Sequence, residues 1–185
     1  EVTVKILKSP EVVKAALIGF PSIEDAGNCV AQIIAQGCIP AGMEIMDKAL
    51  TKATNDYSKA GYPVDAEAMM IVEFDGTEHE VEAYMDKAKK IAEENNSSSL
   101  KISRTNDERL KFWAGRKAAF PACGVLAPDY MCMDGSIPRG KLAEVLNEIT
   151  RLSKKYDLPV ANAFHAGDGN LHPLIMFDAN NKESL

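Results

Sequence analysis

The chain contains 185 residues, of which 46% are hydrophobic and 26% charged, and it carries a formal net charge of −6. This composition is typical of a globular domain with its own core and excludes disordered, collagen-like and low-complexity classes. The acidic charge argues against a nucleic-acid partner, and no apolar run reaches the ~18 residues of a membrane-spanning helix.

Strands and helices alternate along the chain. Two helices are predicted after the caps Ser22 and Thr77, because each cap precedes acidic residues and then an apolar stripe at helical spacing. The other predicted helices cover residues 47–60, 107–119 and 139–156. Apolar runs and alternating patterns predict the strands 2–6, 12–20, 39–46, 66–74, 100–102, 130–133, 159–164 and 174–177.

This order of elements favours an α+β fold. Several connections are too short for the crossover helices of a parallel sheet, so the strands are expected to be antiparallel. We therefore predict a ferredoxin-like antiparallel sheet with helices packed on one face. The stretch 47–60 is short and mixed, and we expect it to lie outside the core.

The ends of the chain and its cysteines indicate its context. The chain begins at Glu1 rather than at a methionine and stops at Leu185 without a recognisable cap, so we expect it to be a piece of a larger protein. The four cysteines form no C-x-x-C pair and lie among apolar neighbours, which predicts reduced core residues in a cytosolic protein.

The informative segment is Phe164–Pro173, which contains two of the three histidines. The third, His79, lies at the start of a charged helix and is expected to face solvent. A strand ending at His165, a turn built from Gly-Asp-Gly-Asn and a strand starting near His172 would bring the two rings together, since glycine and asparagine favour tight turns. Spacing alone leaves two interpretations open: a hairpin with two unrelated histidines, or a shared metal or catalytic site.

Two histidines do not complete a metal site, because catalytic zinc usually has three protein ligands. Glu44 and Asp134 are candidates for the third ligand, which could also lie beyond Leu185. Asp168 is close in sequence but lies within the turn, where its carboxylate could hold backbone amides instead.

A second feature is the segment Trp113-Ala-Gly-Arg116-Lys117. Arg116 beside the single tryptophan is either an ordinary cation on a helix surface or a clamp for a small carboxylate. The fork of a guanidinium suits a carboxylate better than an ammonium does.

The segment His165-Ala-Gly-Asp-Gly-Asn-Leu-His172 resembles the H-x-G-D-G-N-x-H signature of FAD-linked oxidases of the vanillyl-alcohol-oxidase type. Within that family the resemblance is greatest to the glycolate oxidase D subunit and D-lactate dehydrogenase branch. Three further segments match in the family's order and extend the resemblance over residues 1–178: Glu44–Asp47, Trp113–Lys117 and Ala127–Pro138.

The resemblance implies a domain organisation. Residues 1–9 would be the last strand leaving a flavin-binding domain that is absent from this chain. Residues 10–185 would be the C-terminal covering domain, truncated before its end, which closes over the flavin and binds the substrate. The parent protein would be a flavin-dependent enzyme that oxidises a small 2-hydroxy acid, of the glycolate or D-lactate type, to the 2-oxo acid.

The resemblance also implies roles for individual residues. His165 and His172 would bind a divalent metal, zinc in many relatives, with a third ligand from a downstream Glu-His pair. Arg116 would bind the substrate carboxylate, and Asp168 and Asn170 would orient the histidines. FAD would be held mainly by the upstream domain, and no catalytic residue is assigned within this chain.

The family context further implies other oxidase subunits as partners and a cytoplasmic location, peripheral to the inner membrane through those subunits. Two other classes stay open from the residues alone. One is a free-standing ferredoxin-like regulatory module that binds a ligand or a metal. The other is a metal-dependent hydrolase, which would need a third ligand and a general base inside this chain.

Overall fold

The computed structural model describes residues 1–6 and 8–183. The strands are β1 (Val12–Phe20), β2 (Gly42–Asp47), β3 (Ala68–Gly76), β4 (Ser99–Ile102), β5 (Asp129–Cys132), β6 (Gly135–Ser136), β7 (Val160–His165) and β8 (Asn170–Phe177). The helices are α1 (Ile23–Ala35), α2 (Lys48–Ser58), α3 (Glu78–Glu94), α4 (Asn106–Lys117), α5 (Ala119–Ala122) and α6 (Leu142–Tyr156). The predicted α+β class is confirmed.

The strands of the described residues form one antiparallel sheet in the order β4-β1-β3-β2-β7-β8-β5, with β6 also paired to β8. Helix α1 crosses from β1 to β2, and α3 crosses from β3 to β4, each over one intervening strand. Residues 12–102 thus follow a β-α-β-β-α-β order with α2 inserted. The later strands extend the sheet beyond the four strands of a ferredoxin-like unit.

Helices cover both faces of the sheet. One core cluster packs α1, α3 and α6 against one face, and a second packs residues of α2, α4 and α5 against the other. The prediction that helices pack on one face was therefore wrong, as was the exclusion of 47–60 from the core, because Leu50 of α2 is fully buried. The central strands β1 and β3 are apolar on both faces, so both faces require a covering layer.

The first residues of the chain do not form the predicted strand. Residues 1–6 and 8–10 lie outside any strand, and Val2, Val4 and Ile6 are each at least 75% exposed. Leu7, which falls in the same prediction, lies outside the described residues. An alternating pattern makes a strand only where a neighbouring strand accepts its hydrogen bonds, and these residues have no such neighbour within the described residues.

Three of the four cysteines are buried free thiols, as predicted: Cys29, Cys38 and Cys123. Cys132 is exposed, contrary to the prediction, because β5 lies at the edge of the sheet. His79 is exposed at the start of α3, as expected. No helix in the part of the chain that the structure describes is long and apolar enough to cross a membrane.

Helix α4 is held to the sheet by polar contacts along its length. Glu73 of β3 accepts hydrogen bonds from Arg109 (3.0 Å) and Trp113. The buried hydroxyl of Tyr62 donates to the carbonyl of Phe112. Gly115 faces the same tyrosine so closely that a Cβ there would lie 2.3 Å from the hydroxyl oxygen. The position of Arg116, the next residue, therefore depends on a glycine at 115.

Asp47 ties together the strands β2 and β7. Its carboxylate accepts hydrogen bonds from the backbone of Leu50 (3.0 Å), which caps α2, and from the side chain of Asn162 on β7 (2.8 Å). Burial raises the pKa of Asp47 to about 6, although these hydrogen bonds act in the opposite direction. The charged form of this cap is thus held in an unfavourable environment.

We expect Gly115→Ala to destabilise the protein by about 1–3 kcal/mol, because the added methyl group forces apart α4 and Tyr62. Chemical denaturation measures the effect. The control is Gly124→Ala, where a Cβ meets no atom within 4 Å and the expected change stays within about 0.5 kcal/mol. Equal unfolding midpoints for the two variants would contradict the contact.

We expect Asp47→Asn to alter the pH dependence of stability. Between pH 4 and the folded pKa of about 6, the folded state binds a proton that the unfolded state has lost, so this group's contribution to stability falls as pH rises. Asparagine does not titrate, so the variant does not show this fall in stability as pH rises. The variant should gain roughly 2 kcal/mol relative to the parent between pH 4 and pH 7, measured by urea denaturation at both pH values. An equal stability difference at the two pH values would rule out the burial effect.

Candidate functional site

The candidate site lies on the α4–α5 face of the sheet, where β2, β7 and β8 run side by side. Ile45 pairs with Phe164 and Met46 with Ala163, so Glu44 lies beside His165. On the other side of β7, His165 pairs with Asn170 and Ala163 with His172. Because side chains two residues apart share a face, the two histidines are diagonal neighbours on one surface.

The hairpin that carries the histidines forms as the sequence predicts. Strand β7 ends at His165, β8 begins at Asn170, and residues 166–169 make the turn. Gly169 has a φ of 71°, and a Cβ there would lie 2.3 Å from the carbonyl oxygen of Ile137. Glycine is required at this position both for its backbone conformation and for space. The rings of His165 and His172 lie edge to face, with centroids 5.1 Å apart.

Glu44 connects the histidine pair to Arg116. One carboxylate oxygen, Oε1, lies 2.7 Å from Nδ1 of His165. The other, Oε2, accepts a hydrogen bond from Nε of Arg116 at 3.0 Å and lies 3.0 Å from Nη2 of the same guanidinium, an ion-pair contact. Glu44 and Arg116 are each only 8% exposed. This arrangement pairs a buried carboxylate with a buried guanidinium, which is the condition for keeping both charges out of water.

The contact with Glu44 selects one form of the His165 ring. An ionised carboxylate only accepts hydrogen bonds, so Nδ1 of His165 is the donor. In the neutral ring, Nε2 then carries the free lone pair. The His165 side chain is 45% exposed, so this nitrogen belongs to a ring that solvent or a ligand can reach.

His172 has a second carboxylate as its neighbour. Its Nδ1 lies 3.5 Å from Asp134, which is largely exposed, and its ring packs against Phe120 with centroids 6.4 Å apart. Burial lowers the pKa of His172, and the nearby charges of His165 and Arg116 lower it further, while Asp134 and Glu44 oppose the shift. The neutral ring, the form that binds metals, is therefore favoured.

The two acidic candidates for a third metal ligand both lie on the Nδ1 side of a histidine. Glu44 contacts His165 and Asp134 faces His172, which leaves the Nε2 atoms without a hydrogen bond among the described residues. Carboxylates behind histidine ligands are a common arrangement around metals, so the donor set fits two ligands of a metal. Across residues 1–6 and 8–183, no group of three or more His, Cys, Asp or Glu side chains forms a metal site.

The turn residues Asp168 and Asn170 have different surroundings. Asp168 lines a cavity of about 210 Å³ next to Glu44, His165 and Arg139, and its backbone amide donates to the carbonyl of His165 at 3.0 Å. The side-chain oxygen of Asn170 is buried and has no hydrogen-bond partner among residues 1–6 and 8–183. Neither side chain forms a hydrogen bond to a histidine ring among the described contacts.

The sequence interpretation missed the link between Glu44 and Arg116. The available signal was the position of Glu44 inside the apolar strand Gly42–Asp47, where a carboxylate needs a partner. It also missed Phe120, which packs on His172, and Arg139, which lines the adjoining cavity. Neither residue stands out in the sequence, because their positions near the site result from the packing of α5 and of the segment before α6.

Comparisons with known proteins agree with this architecture. The family model described as "FAD linked oxidases, C-terminal domain" matches residues 9–185. The glycolate oxidase subunit GlcD of Escherichia coli K12 is 52% identical over 180 residues, which are 97% of this chain and 36% of that protein. GlcD of Bacillus subtilis is 33% identical over the full length of this chain and 39% of its own.

More distant relatives extend the comparison. A mitochondrial D-lactate dehydrogenase [cytochrome] of Arabidopsis thaliana is 28% identical over 99% of this chain and 32% of its own length. The structure of p-cresol methylhydroxylase with substrate bound matches 95% of this chain and 41% of its own, with a TM-score of 0.69 and 12% sequence identity. At this identity the match shows a similar fold. The chain thus spans little more than a third of its curated relatives. It belongs to the FAD-linked oxidases and corresponds to their C-terminal domain.

Proposed function

We propose that this chain is the substrate-covering part of a flavin-dependent enzyme that oxidises a small 2-hydroxy acid to the 2-oxo acid. The observation that carries the proposal is the joined set Arg116–Glu44–His165–His172, which offers a cation and two imidazoles on one face. Such a set suits a substrate with a carboxylate next to a hydroxyl. The relatives named glycolate oxidase and D-lactate dehydrogenase act on acids of this kind.

The remainder of the parent protein would hold the flavin. The chain matches 36% of the E. coli relative, which leaves ample length for a flavin-binding domain. Residues 1–9 would be the segment that leaves this domain and would form a strand only against neighbours that the domain supplies, and residues 10–185 would be the covering domain. FAD supplies the hydride acceptor when it is bound.

His165 and His172 are the residues that would hold a divalent metal, with zinc as the leading candidate. Such a metal supplies Lewis acidity that favours ionisation of the substrate hydroxyl. Asp168 and Asn170 would keep the hairpin in shape, and the unpartnered oxygen of Asn170 leaves it free to bond a group brought by the rest of the protein. A third ligand would come from outside this chain.

Arg116 would bind the substrate carboxylate, but not with the edge of its guanidinium that carries Nε and Nη2. That edge already holds the Nε hydrogen bond and the Nη2 ion-pair contact to Glu44. The donors on Nη1 are the ones left for a substrate. A single carboxylate at this position could thus be fixed in orientation relative to the histidine pair.

Other oxidase subunits are proposed as partners, because the relatives in E. coli and B. subtilis are named as subunits. We further propose a cytoplasmic location, at the inner membrane through those subunits.

We expect His165→Ala in the full-length protein to lower metal content and turnover together. His165 would be one of the residues that hold the metal, and losing it would remove the Lewis acidity that the metal would supply, so kcat should fall at least about 100-fold. The control is His79→Ala, which removes an exposed ring on α3. Metal analysis and steady-state kinetics with glycolate and D-lactate are the measurements. A metal-free His165→Ala enzyme with unchanged turnover would overturn the metal role.

We expect Arg116→Lys to reduce kcat/KM roughly tenfold or more, because a planar group that bridges Glu44 and the substrate becomes a point charge. Arg109→Lys is the matched control, since Arg109 forms the other ion pair between α4 and the sheet, with Glu73 at 3.0 Å. Equal kcat/KM values for the two variants would reject a substrate contact by Arg116.

A further inference from the structure

We propose that Glu44 is a positioning residue that couples the substrate-binding arginine to the metal-binding histidine. This inference rests on the proposed function and deepens it, because it assigns a role to a residue that touches neither substrate nor metal. Its basis is the contact geometry of Glu44, which uses one carboxylate oxygen for His165 and the other for Arg116.

No other described group takes over the two contacts of Glu44. His165 forms one side-chain hydrogen bond among the described residues, to Glu44 at 2.7 Å, and Arg116 forms its only ion pair with the same carboxylate. Removing the carboxylate therefore leaves the imidazole free to rotate or change its tautomer, and it leaves a buried guanidinium without an anion.

Glu44 also sets the direction of both partners. It lies on β2 beside β7, so its side chain shares a face with His165, and it contacts Arg116 on the helix above. The bond to Nδ1 fixes the proton there and leaves Nε2 as the metal-binding nitrogen. The same carboxylate occupies the Nε edge of Arg116. One residue thus decides which atoms of both partners face the ligand.

A purely structural role for Glu44 would have different consequences from a positioning role. Glu73 is a matched carboxylate in the next strand, since it also joins the sheet to α4 through an arginine, and both partners are largely buried. Glu73 contacts neither histidine among the described residues. A purely structural role for Glu44 would make Glu44→Gln and Glu73→Gln equivalent, whereas a positioning role separates them.

The test compares these two variants in the full-length protein, with Co²⁺ and Zn²⁺ as probes in competition with a chelator. Glutamine keeps the size of the side chain but can donate as well as accept, so it no longer enforces one ring form on His165. Glu44→Gln should weaken metal binding and lower kcat, each about 10–100-fold. Glu73→Gln should leave metal affinity and kcat unchanged, while both variants retain flavin.

A second variant keeps the proposal testable if Glu44→Gln does not fold. Glu44→Gln/Arg116→Gln removes both buried charges, and its metal affinity is compared with that of Arg116→Gln. The double variant should bind Co²⁺ about 10–100-fold more weakly than the parent, and more weakly than Arg116→Gln. Equal affinities of these two variants would overturn the role of Glu44 at His165.

The outcomes separate this inference from the proposed function. A parent protein that binds neither probe metal and oxidises no 2-hydroxy acid would overturn both. A parent that does both, together with a Glu44→Gln variant that matches Glu73→Gln in metal affinity and kcat, would overturn the positioning role alone. A selective loss in Glu44→Gln supports it.

Discussion

The site depends on one buried carboxylate that needs two partners. Glu44 lies in the middle of an apolar sheet, where an unpaired charge would be strongly unfavourable. Arg116 from the helix layer and His165 from the next strand supply the partners that its carboxylate needs. The three side chains therefore form a unit that joins β2, β7 and α4. The same contacts that make the charge tolerable also set the orientation of the groups available to a ligand.

The rest of the fold holds this unit in place. The sheet sets the histidines on one face through the registers of β2 with β7 and of β7 with β8. Helix α4 sets Arg116 above that face because Gly115, the residue before it, packs against Tyr62. Helices on both faces bury the central strands, so the site is built on packed strands rather than on loops, which favours a precise arrangement of its groups.

The strongest local patterns were predictable from the sequence. The capping box of Thr77 and Glu80 forms as expected, and the glycines around Asp168 gave the hairpin that joins the two histidines. The pairing of Glu44 with Arg116 was not predictable, because it spans 72 positions in the chain and depends on strand register and helix placement. The strand predicted at Val2–Ile6 is absent for a related reason. Alternation of apolar and polar residues indicates a strand, but it does not show whether a neighbouring strand is available to pair with it.

The alternation of side chains along β8 has a consequence for how the family can vary in length. One residue inserted between Asn170 and His172 would turn the imidazole to the opposite face, into the cluster around Phe164. Two inserted residues would restore the face but carry the ring about 7 Å along the strand. The segment 95–98 between α3 and β4 bears no such constraint, because it contributes no side chain to the site. Evolutionary insertions and deletions should thus accumulate at that end of the sheet and spare the histidine hairpin.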